Sequence, residues 1–163
     1  MLYDRLASLD LQIDDHTLAL RERDTSSGFT RTTTIVSLHG DGETGHGEDV
    51  TYDNEPHYDL AESDPDIPIT DTASFAEFSG TVADIDLFFG EEPGSSIFRN
   101  YRRWAFESAA LDLALKQAGT NLGEQLNRSY SPVRFVVSTR LEEPPTGERV
   151  VEWLDRNPDL EFK

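Results

Sequence analysis

One helix restricts what this chain can fold into more than any other feature of its sequence. Between Ile97 and Ala118, apolar side chains such as Trp104, Phe106 and Leu113 recur on almost every side of the predicted helix. A stripe this wide must be covered by other elements along most of its length. The alanines within it are small enough to let a neighbouring element approach closely. We therefore expect this helix to be the core of the fold.

The first third of the sequence has the pattern of strands. Runs of β-branched and alternating residues predict four strands, at Leu6–Ile13, Thr17–Arg23, Thr30–Leu38 and Glu48–Tyr52. The segments between them, at 24–28 and 40–47, are rich in Gly, Ser, Thr and Asp, which suits exposed turns. This order predicts an antiparallel meander.

Helices are predicted to follow the strands. Residues 54–71 are polar and interrupted by prolines, which predicts an irregular surface connection. Apolar residues at helical spacing then predict a helix at 72–88, before the core helix, and a short helix at Leu122–Asn127 comes after it. Strands followed by helices indicate an α+β fold.

The pattern changes after Pro132. Val133–Ser138 predicts a short strand, Thr146–Asn157 a helix, and Leu160–Lys163 the start of another strand. Such a β-α-β unit places its strands in a parallel sheet, unlike the meander at the start. We therefore divide the chain into a domain at 1–131 and a separate segment at 132–163.

The charge of the chain excludes two classes of partner. It has 32 Asp and Glu against 14 Lys and Arg, a net charge of -18, which repels nucleic acid and anionic membranes. Only Lys116 and Lys163 are lysines. This balance is typical of proteins from salt-loving cells, so we expect a halophilic protein, with an ordinary acidic protein as the alternative. Salt should stabilise the fold, because the Debye length falls to about 3 Å at 1 M.

Cysteine usage and hydropathy indicate the compartment. The chain has no cysteine, which excludes disulfides, thiol catalysis and zinc sites built on Cys. Its start has no apolar run of the kind a signal peptide needs, and no segment approaches the ~20 apolar residues of a membrane span. We expect a cytoplasmic protein.

Motifs that could carry chemistry have simpler interpretations. Gly40, Gly42 and Gly45 match G-x-G-x-x-G, but acidic neighbours would repel a pyrophosphate, so a glycine-rich hairpin turn is favoured. The histidines and carboxylates between His39 and Glu48 could clasp a metal, although a solvated turn fits them better. Arg102 and Arg103 lie near Glu107, which predicts local ion pairs.

Three stretches, taken in order, resemble the mandelate racemase/muconate lactonizing family of the enolase superfamily. Gly45-His46-Gly47-Glu48 resembles the G-x-G-E that closes the strand meander of that family. Residues Arg102 to Gly123 are similar to its helix A-x-E-x-A-L-x-D-L-x-x-K-x-x-G-x-P-L. Val133 to Lys163 resembles its first barrel strand, first barrel helix and the opening of its second strand.

The resemblance implies an α+β capping domain at 1–131 that leads into a (β/α)₈ barrel. A barrel of this type uses about 31 residues per β-α unit. Residues 132–163 would therefore be the first unit and the start of the second strand. We expect the chain to be a fragment whose partner is the remainder of the barrel, in the same gene or a separate chain.

The resemblance also implies a magnesium-dependent racemase, cycloisomerase or dehydratase that acts on a small carboxylate substrate. In that family, carboxylates on later strands hold Mg²⁺, and a lysine or histidine removes the proton next to the substrate carboxylate. Those strands are not in this sequence, so we expect no metal ligand here and no catalysis by this chain alone. Lys163 matches the first lysine of the family's Lys-x-Lys and is the candidate base. If it were the second, the first would be Glu161, a departure from the motif; an exposed lysine without a role is the alternative.

The same resemblance implies substrate contacts in two cap loops, Asp24–Phe29 and Thr51–Glu55. The candidate residues are Ser27, Gly28, Phe29 and Tyr52, with Ser138 at the end of the first barrel strand. Ordinary hairpin turns are the alternative interpretation of these loops.

Two other functions stay open. One is a freestanding acidic binding or complementing module without enzymatic activity, and the other is an unrelated α+β enzyme with a site at 40–48. For the chain alone, open strand edges and apolar faces around Val133 to Lys163 predict self-association.

Overall fold

The computed structural model describes residues 2–25, 28–63, 67–70, 72–141 and 143–163. These residues form an α+β structure in which a three-stranded antiparallel sheet is followed by helices, as predicted. No helix in these ranges is both long enough and apolar enough to cross a membrane. The elements in chain order are β1 (Asp15–Asp24), β2 (Thr30–Gly40), β3 (Glu43–Asp49), α1 (Glu55–Ser63), α2 (Phe75–Asp84), α3 (Ile97–Gln117), α4 (Leu122–Gln125), β4 (Val136–Val137), α5 (Glu148–Arg156) and β5 (Glu161–Phe162).

Internal contacts divide the chain into two compact units. The first unit comprises Met1–Asp24 with Thr30–Ser129 and contains the sheet β1-β2-β3 and helices α1 to α4. The second comprises Thr25–Phe29 with Tyr130–Lys163 and contains β4, α5 and β5. The domain boundary between residues 131 and 132 stays a prediction.

The turn between β2 and β3 is shorter than the sequence suggested. Gly40 pairs with Glu43, and the two residues between them have positive φ angles, 48° at Asp41 and 78° at Gly42. Two successive positive φ angles are the geometry of a tight hairpin turn. The prediction of a loop over 40–47 and a strand over 48–52 was therefore wrong, because β3 begins at Glu43 and ends at Asp49.

Two glycines inside β3 let the sheet approach α3 closely. A Cβ atom at Gly45 would overlap the backbone of α3 at Ala109 and Leu113, and one at Gly47 would overlap the carbonyl of Ala105. Glycine inside a strand often marks such a close approach of another backbone. These residues are glycines because the helix occupies the space of a side chain.

The core of the first unit lies between α3, the sheet and α2. Phe106 and Leu113 on α3 are completely buried, and so are Leu38 on β2 and Phe78 on α2. Side chains of this size each contribute about 1.5–3 kcal/mol when buried. The prediction that Ile97–Ala118 forms the core helix is confirmed.

Two other predictions for the first unit were wrong. Leu6–Ile13 is not a strand of the sheet, since within it only an isolated bridge joins Asp10 to Ser74. Its alternation is nevertheless real, because Leu9, Leu11 and Ile13 are buried. The predicted irregular connection at 54–71 contains α1, whose proline at position 56 lies in the first turn, where helices tolerate proline.

The second unit is a short β-α-β arrangement. Val136 pairs with Glu161 and Val137 with Phe162, in parallel, with α5 between the two strands in sequence. The ring of Trp153 on α5 stacks on Phe162, with centroids 6.0 Å apart. None of the described residues of this unit is buried.

Candidate functional site

The polar centre of the first unit is Asp49, the last residue of β3. Its carboxylate is completely buried and accepts hydrogen bonds from the Thr51 amide at 3.0 Å, the Thr51 hydroxyl at 2.7 Å and Nε of Arg102 at 2.8 Å. A buried carboxylate needs such partners, because leaving it unpaired would cost several kcal/mol. Asp49 therefore ties the segment after β3 to helix α3.

Arg102 supplies the compensating positive charge from α3. Its Nη1 donates to the carbonyl of Leu87 at 2.9 Å and its Nη2 to the carbonyl of Pro56 at 2.8 Å. The guanidinium also lies 4.1 Å from the ring centroid of Phe88, a cation–π contact. One side chain therefore joins β3, α1 and the segment after α2 to α3.

His57 on α1 completes the network in its neutral form. Its Nε2 lies 3.0 Å from the carbonyl of Thr51, which can only accept, so Nε2 carries the proton. Nδ1 then accepts from the hydroxyl of Thr34 at 2.9 Å. Burial lowers the pKa of His57 and outweighs the opposing effects of the Thr51 carbonyl and of Asp49.

The loop Val50–Asn54 leaves this network towards the surface. Nη1 of Arg31 donates to the carbonyl of Thr51 at 3.0 Å, and its Nη2 donates to that of Val50 at 2.5 Å. The guanidinium of Arg31 lies 4.8 Å from the ring centroid of Tyr52, whose residue is 71% exposed. Asn54 closes the loop by donating to the carbonyl of Thr30 at 3.2 Å. Tyr52, a predicted substrate contact, is thus an exposed ring on a firmly held loop.

The hairpin between β1 and β2 carries the other predicted cap contacts. Thr25 binds the carbonyl of Phe29 through its amide at 2.9 Å and through its hydroxyl at 2.8 Å. Gly28 has a φ of 81°, which favours glycine, and Phe29 is 54% exposed. Ser27 lies outside the described residues.

The carboxyl ends of β4 and β5 bring Ser138 and Lys163 together. The Lys163 amide donates to Val137 at 3.0 Å, and the Thr139 amide donates to the Lys163 carbonyl at 3.4 Å. These two bonds continue the parallel ladder by one residue and put Ser138 opposite Lys163. Opposed residues have their side chains on the same face of a sheet.

That face is the one turned away from α5. Phe162 stacks on Trp153 of α5, so the face with Phe162 and its pair Val137 is the helix side. Side chains alternate along a strand, which places Ser138 and Lys163 on the opposite face together with Glu161. Arg134 forms an exposed ion pair with Glu161 at 2.7 Å.

The histidines between His39 and Glu48 are held by hydroxyl groups. The ring of His39 hydrogen-bonds to Thr17 at 3.2 Å and to Thr44 at 3.0 Å, and His46 hydrogen-bonds to Ser37 at 3.0 Å. Among the residues that the structure describes, no three His, Asp or Glu side chains come together as ligands for a metal ion.

Sequence reasoning did not predict the buried network of Asp49, Arg102 and His57, and Tyr52 stays a predicted substrate contact. Arg103 pairs with Glu107 at 2.9 Å, as predicted, whereas Arg102 binds Asp49, 53 residues away. The signal was present, because Arg102 precedes Ala105 and Ala109 by three and seven residues and so lies on the buried stripe of α3. A cation on such a stripe needs a buried partner.

Models of a domain of unknown function, DUF8230, match the chain in two parts: the N-terminal domain over residues 4–125 and the C-terminal domain over residues 129–163. The chain belongs to the DUF8230 family. The two DUF8230 models meet between residues 125 and 129, close to the change of unit after Ser129. No curated protein and no solved structure matches this DUF8230 chain.

Proposed function

We propose that this chain is the substrate-capping domain and the first β-α unit of a magnesium-dependent enzyme of the enolase superfamily, of the mandelate racemase/muconate lactonizing type. The enzyme acts on a small carboxylate substrate as a racemase, cycloisomerase or dehydratase. A strand meander, helices and then a β-α-β arrangement follow one another in the order that the sequence resemblance implies.

One observation carries the proposal furthest: Lys163 lies opposite Ser138 at the carboxyl ends of two parallel strands, on the face away from α5. In (β/α)₈ enzymes, catalytic residues come from the carboxyl ends of the barrel strands, and helices cover the outer face of those strands. Lys163 is therefore our candidate for the base that removes the proton next to the substrate carboxylate. The Ser138 hydroxyl is on the same face and is the candidate substrate contact beside it.

The metal belongs to other strands in this proposal. Bound Mg²⁺ would stabilise the negative charge that develops on the substrate carboxylate. In that family the metal ligands lie on later barrel strands, so the proposal assigns the metal no contact in this chain. What this chain supplies is the lysine, the serine and the cap loops.

Proton exchange by the native gene product tests the proposal. The product is incubated in D₂O with Mg²⁺ and a panel of dipeptides, sugar acids and aromatic acids, and loss of the proton signal next to the carboxylate is followed by NMR. The only two lysines of the sequence provide a matched pair of variants, Lys163→Arg and Lys116→Arg. Both keep the charge, but arginine is not a base at neutral pH.

We expect exchange with at least one acid for the wild type and for Lys116→Arg. Lys163→Arg should lower the exchange rate by about 100-fold or more, which is the usual contribution of a general base. Equal rates for the two variants would reject Lys163 as the base. A wild-type product that exchanges the proton of none of these acids would contradict the proposal that the protein is such an enzyme.

A freestanding acidic binding module is the second candidate function. The observation that favours it is the first unit, which has its own buried core and a buried polar network with partners for Asp49, His57 and Arg102. Under this alternative the native product binds one of the acids without exchanging its proton. Calorimetric titration of the same panel distinguishes the two candidates.

A further inference from the structure

We propose that two copies of this chain associate through the exposed face of α3, with the two helices packed antiparallel around a twofold axis at Ser108. Neither Lys163 nor a substrate takes part in this contact, so it stands or falls independently of the proposed function. It also differs from the self-association that the sequence predicts around Val133 to Lys163, because α3 belongs to the first unit.

A second stripe of side chains runs along α3 beside the stripe that faces the core. Its members recur at alternating spacings of four and three residues, which places them on one face of the helix. They are Ile97, Tyr101, Trp104, Ser108, Leu111 and Leu115. Ile97 is 39% exposed and Trp104 52% exposed, and the ring centroids of Tyr101 and Trp104 lie 5.6 Å apart. This helix therefore presents an apolar face outside the core of the first unit.

The two halves of this face have opposite shapes. The amino-terminal half carries the exposed indole of Trp104, with the ring of Tyr101 against it. The carboxyl-terminal half borders a groove of about 480 Å³, whose apolar lining is Leu111, Leu115 and Leu122. Ser108, which is small and exposed, lies between the two halves. The face therefore has projecting rings at one end and a groove at the other.

A second copy is the occupant that fits both halves at once. In an antiparallel pair related by a twofold axis, each copy places its amino-terminal half against the carboxyl-terminal half of the other. With the axis at Ser108, position 101 lies opposite position 115 and position 104 opposite position 112. The rings of Tyr101 and Trp104 in each copy then meet the groove of the other copy. The two serines at the axis let the helices approach closely, because the distance between packed helices depends on the side chains at the contact.

Charge favours this face over the rest of the surface for contact between two copies. The chain has 32 acidic and 14 basic residues, but α3 has two acidic residues and four basic ones. Both acidic residues are already paired, Glu107 with Arg103 at 2.9 Å and Asp112 with Lys116 at 2.8 Å. A basic partner would be drawn to the acidic surface elsewhere. The face without excess negative charge instead fits a second acidic chain, which the remaining surface repels.

The salt dependence of association is the first test, measured by analytical ultracentrifugation of the 163-residue chain. Each copy has a net charge of -18, so repulsion opposes the contact in dilute buffer. The Debye length falls from about 10 Å at 0.1 M salt to about 3 Å at 1 M. At a protein concentration of about 100 µM we expect dimers in about 1 M KCl and mostly monomers in about 0.1 M KCl.

Two substitutions by glutamate identify the surface that forms the contact. Trp104→Glu places a charge in the face twice per dimer and should raise the dissociation constant about 100-fold, as for a central aromatic residue of an interface. Phe135→Glu is the matched control, because Phe135 is 80% exposed and belongs to the second unit. It should change the dissociation constant by no more than about threefold. Circular dichroism checks that both variants fold.

A single cysteine tests the axis directly, because the chain has none of its own. Two copies of Ser108→Cys would meet at the twofold axis and form a disulfide under mild oxidation, which needs Cα atoms within about 7 Å of each other. Ala83→Cys, at an exposed position of α2, is the control and should cross-link at least about 10-fold more slowly. Equal cross-linking of the two variants would overturn the antiparallel arrangement.

Two further results would overturn the contact itself. One is a wild-type chain that stays monomeric in about 1 M KCl up to a protein concentration of about 1 mM. The other is a dimer that Phe135→Glu dissociates and Trp104→Glu leaves intact, since the second unit would then form the contact. Dimers that are lost in Trp104→Glu and cross-linked in Ser108→Cys are the expected result.

Discussion

The two units of this chain differ in how far their apolar side chains are buried. In the first unit, aromatic and aliphatic side chains fill a core in which Phe106 and Leu113 are completely buried. In the second unit, by contrast, Phe135 is 80% exposed and Val133 71% exposed. The first unit therefore has a core of its own, whereas none of the described residues of the second unit is buried.

The ion pairs show the same contrast. Arg102 and Asp49 are at most 2% exposed and have partners for all their polar groups in the first unit. Arg134 and Glu161 in the second unit form a pair at 2.7 Å that is 71% and 51% exposed. Water screens the exposed pair Arg134–Glu161, so this pair contributes little to stability. Removal of either partner of the buried pair Arg102–Asp49 would leave an uncompensated buried charge and would strongly destabilise the protein.

The largest change in the free energy of unfolding is expected when a buried phenylalanine is replaced, with an exposed phenylalanine as the control. Phe106→Ala removes a completely buried ring and should lower the free energy of unfolding by about 4 kcal/mol. Phe135→Ala removes an exposed ring and should change it by less than about 0.5 kcal/mol. Urea unfolding of the 163-residue chain measures both. Similar losses would show that the second unit has a packed core after all.

The next largest loss of stability is expected when the arginine of the buried ion pair is replaced, with the arginine of the exposed pair as the control. Arg102→Met leaves Asp49 buried without its counter-charge and should cost about 3 kcal/mol, since breaking a buried pair is strongly destabilising. Arg134→Met breaks the exposed pair and should cost less than about 1 kcal/mol. Shifts of the urea midpoint at constant slope test this. A loss at Arg134 as large as that at Arg102 would contradict the account.

Two glycine-to-alanine variants test how closely β3 packs against α3 in the first unit. Gly47→Ala would drive a Cβ into the carbonyl of Ala105 and should cost about 2 kcal/mol. Gly80→Ala, in α2, places its Cβ where no atom lies within 4 Å and should stabilise the protein by up to about 1 kcal/mol. Thermal unfolding distinguishes the two. A neutral Gly47→Ala would mean that β3 and α3 are farther apart.

The smallest expected effect is a dependence of the protein's stability on pH. Burial lowers the pKa of His57 in the folded protein, so the unfolded chain binds the proton more readily. The folded protein should therefore lose stability as pH falls below about 6.5, by at most about 1.4 kcal/mol per pH unit. His57→Gln should flatten the curve between pH 6.5 and 5, while His16→Gln, a control in β1, should not. An unchanged slope in His57→Gln would contradict a buried neutral His57.

Local patterns predicted the elements whose packing follows from their own sequence. The apolar stripe predicted α3, β-branched runs predicted β1 and β2, and the change after Pro132 predicted β4, α5 and β5. The beginning of β3 was missed, because its glycines were taken for a turn. Their reason is the backbone of α3, about sixty residues further along the chain, which no local pattern contains.

The candidate site was predictable only in its exposed parts. Lys163 was predicted from the family's Lys-x-Lys motif and Tyr52 from its place in a cap loop, and both assignments stay predictions. The network of Asp49, His57 and Arg102 joins residues that are far apart in sequence. The chain has 32 acidic residues, and among those that the structure describes only Asp49 is buried. Only the fold shows which carboxylate faces Arg102.

The most direct test of the account is amide hydrogen exchange, measured side by side in the 163-residue chain and in the native gene product. In the 163-residue chain, the amides of β2 and α3 should be strongly protected and those of β4 and β5 should exchange quickly, because none of the described residues of the second unit is buried. In the native product, β4 and β5 should become as protected as β2, as strands enclosed in a barrel. Equal protection of β4 and β5 in both samples would contradict the proposal that they begin a barrel.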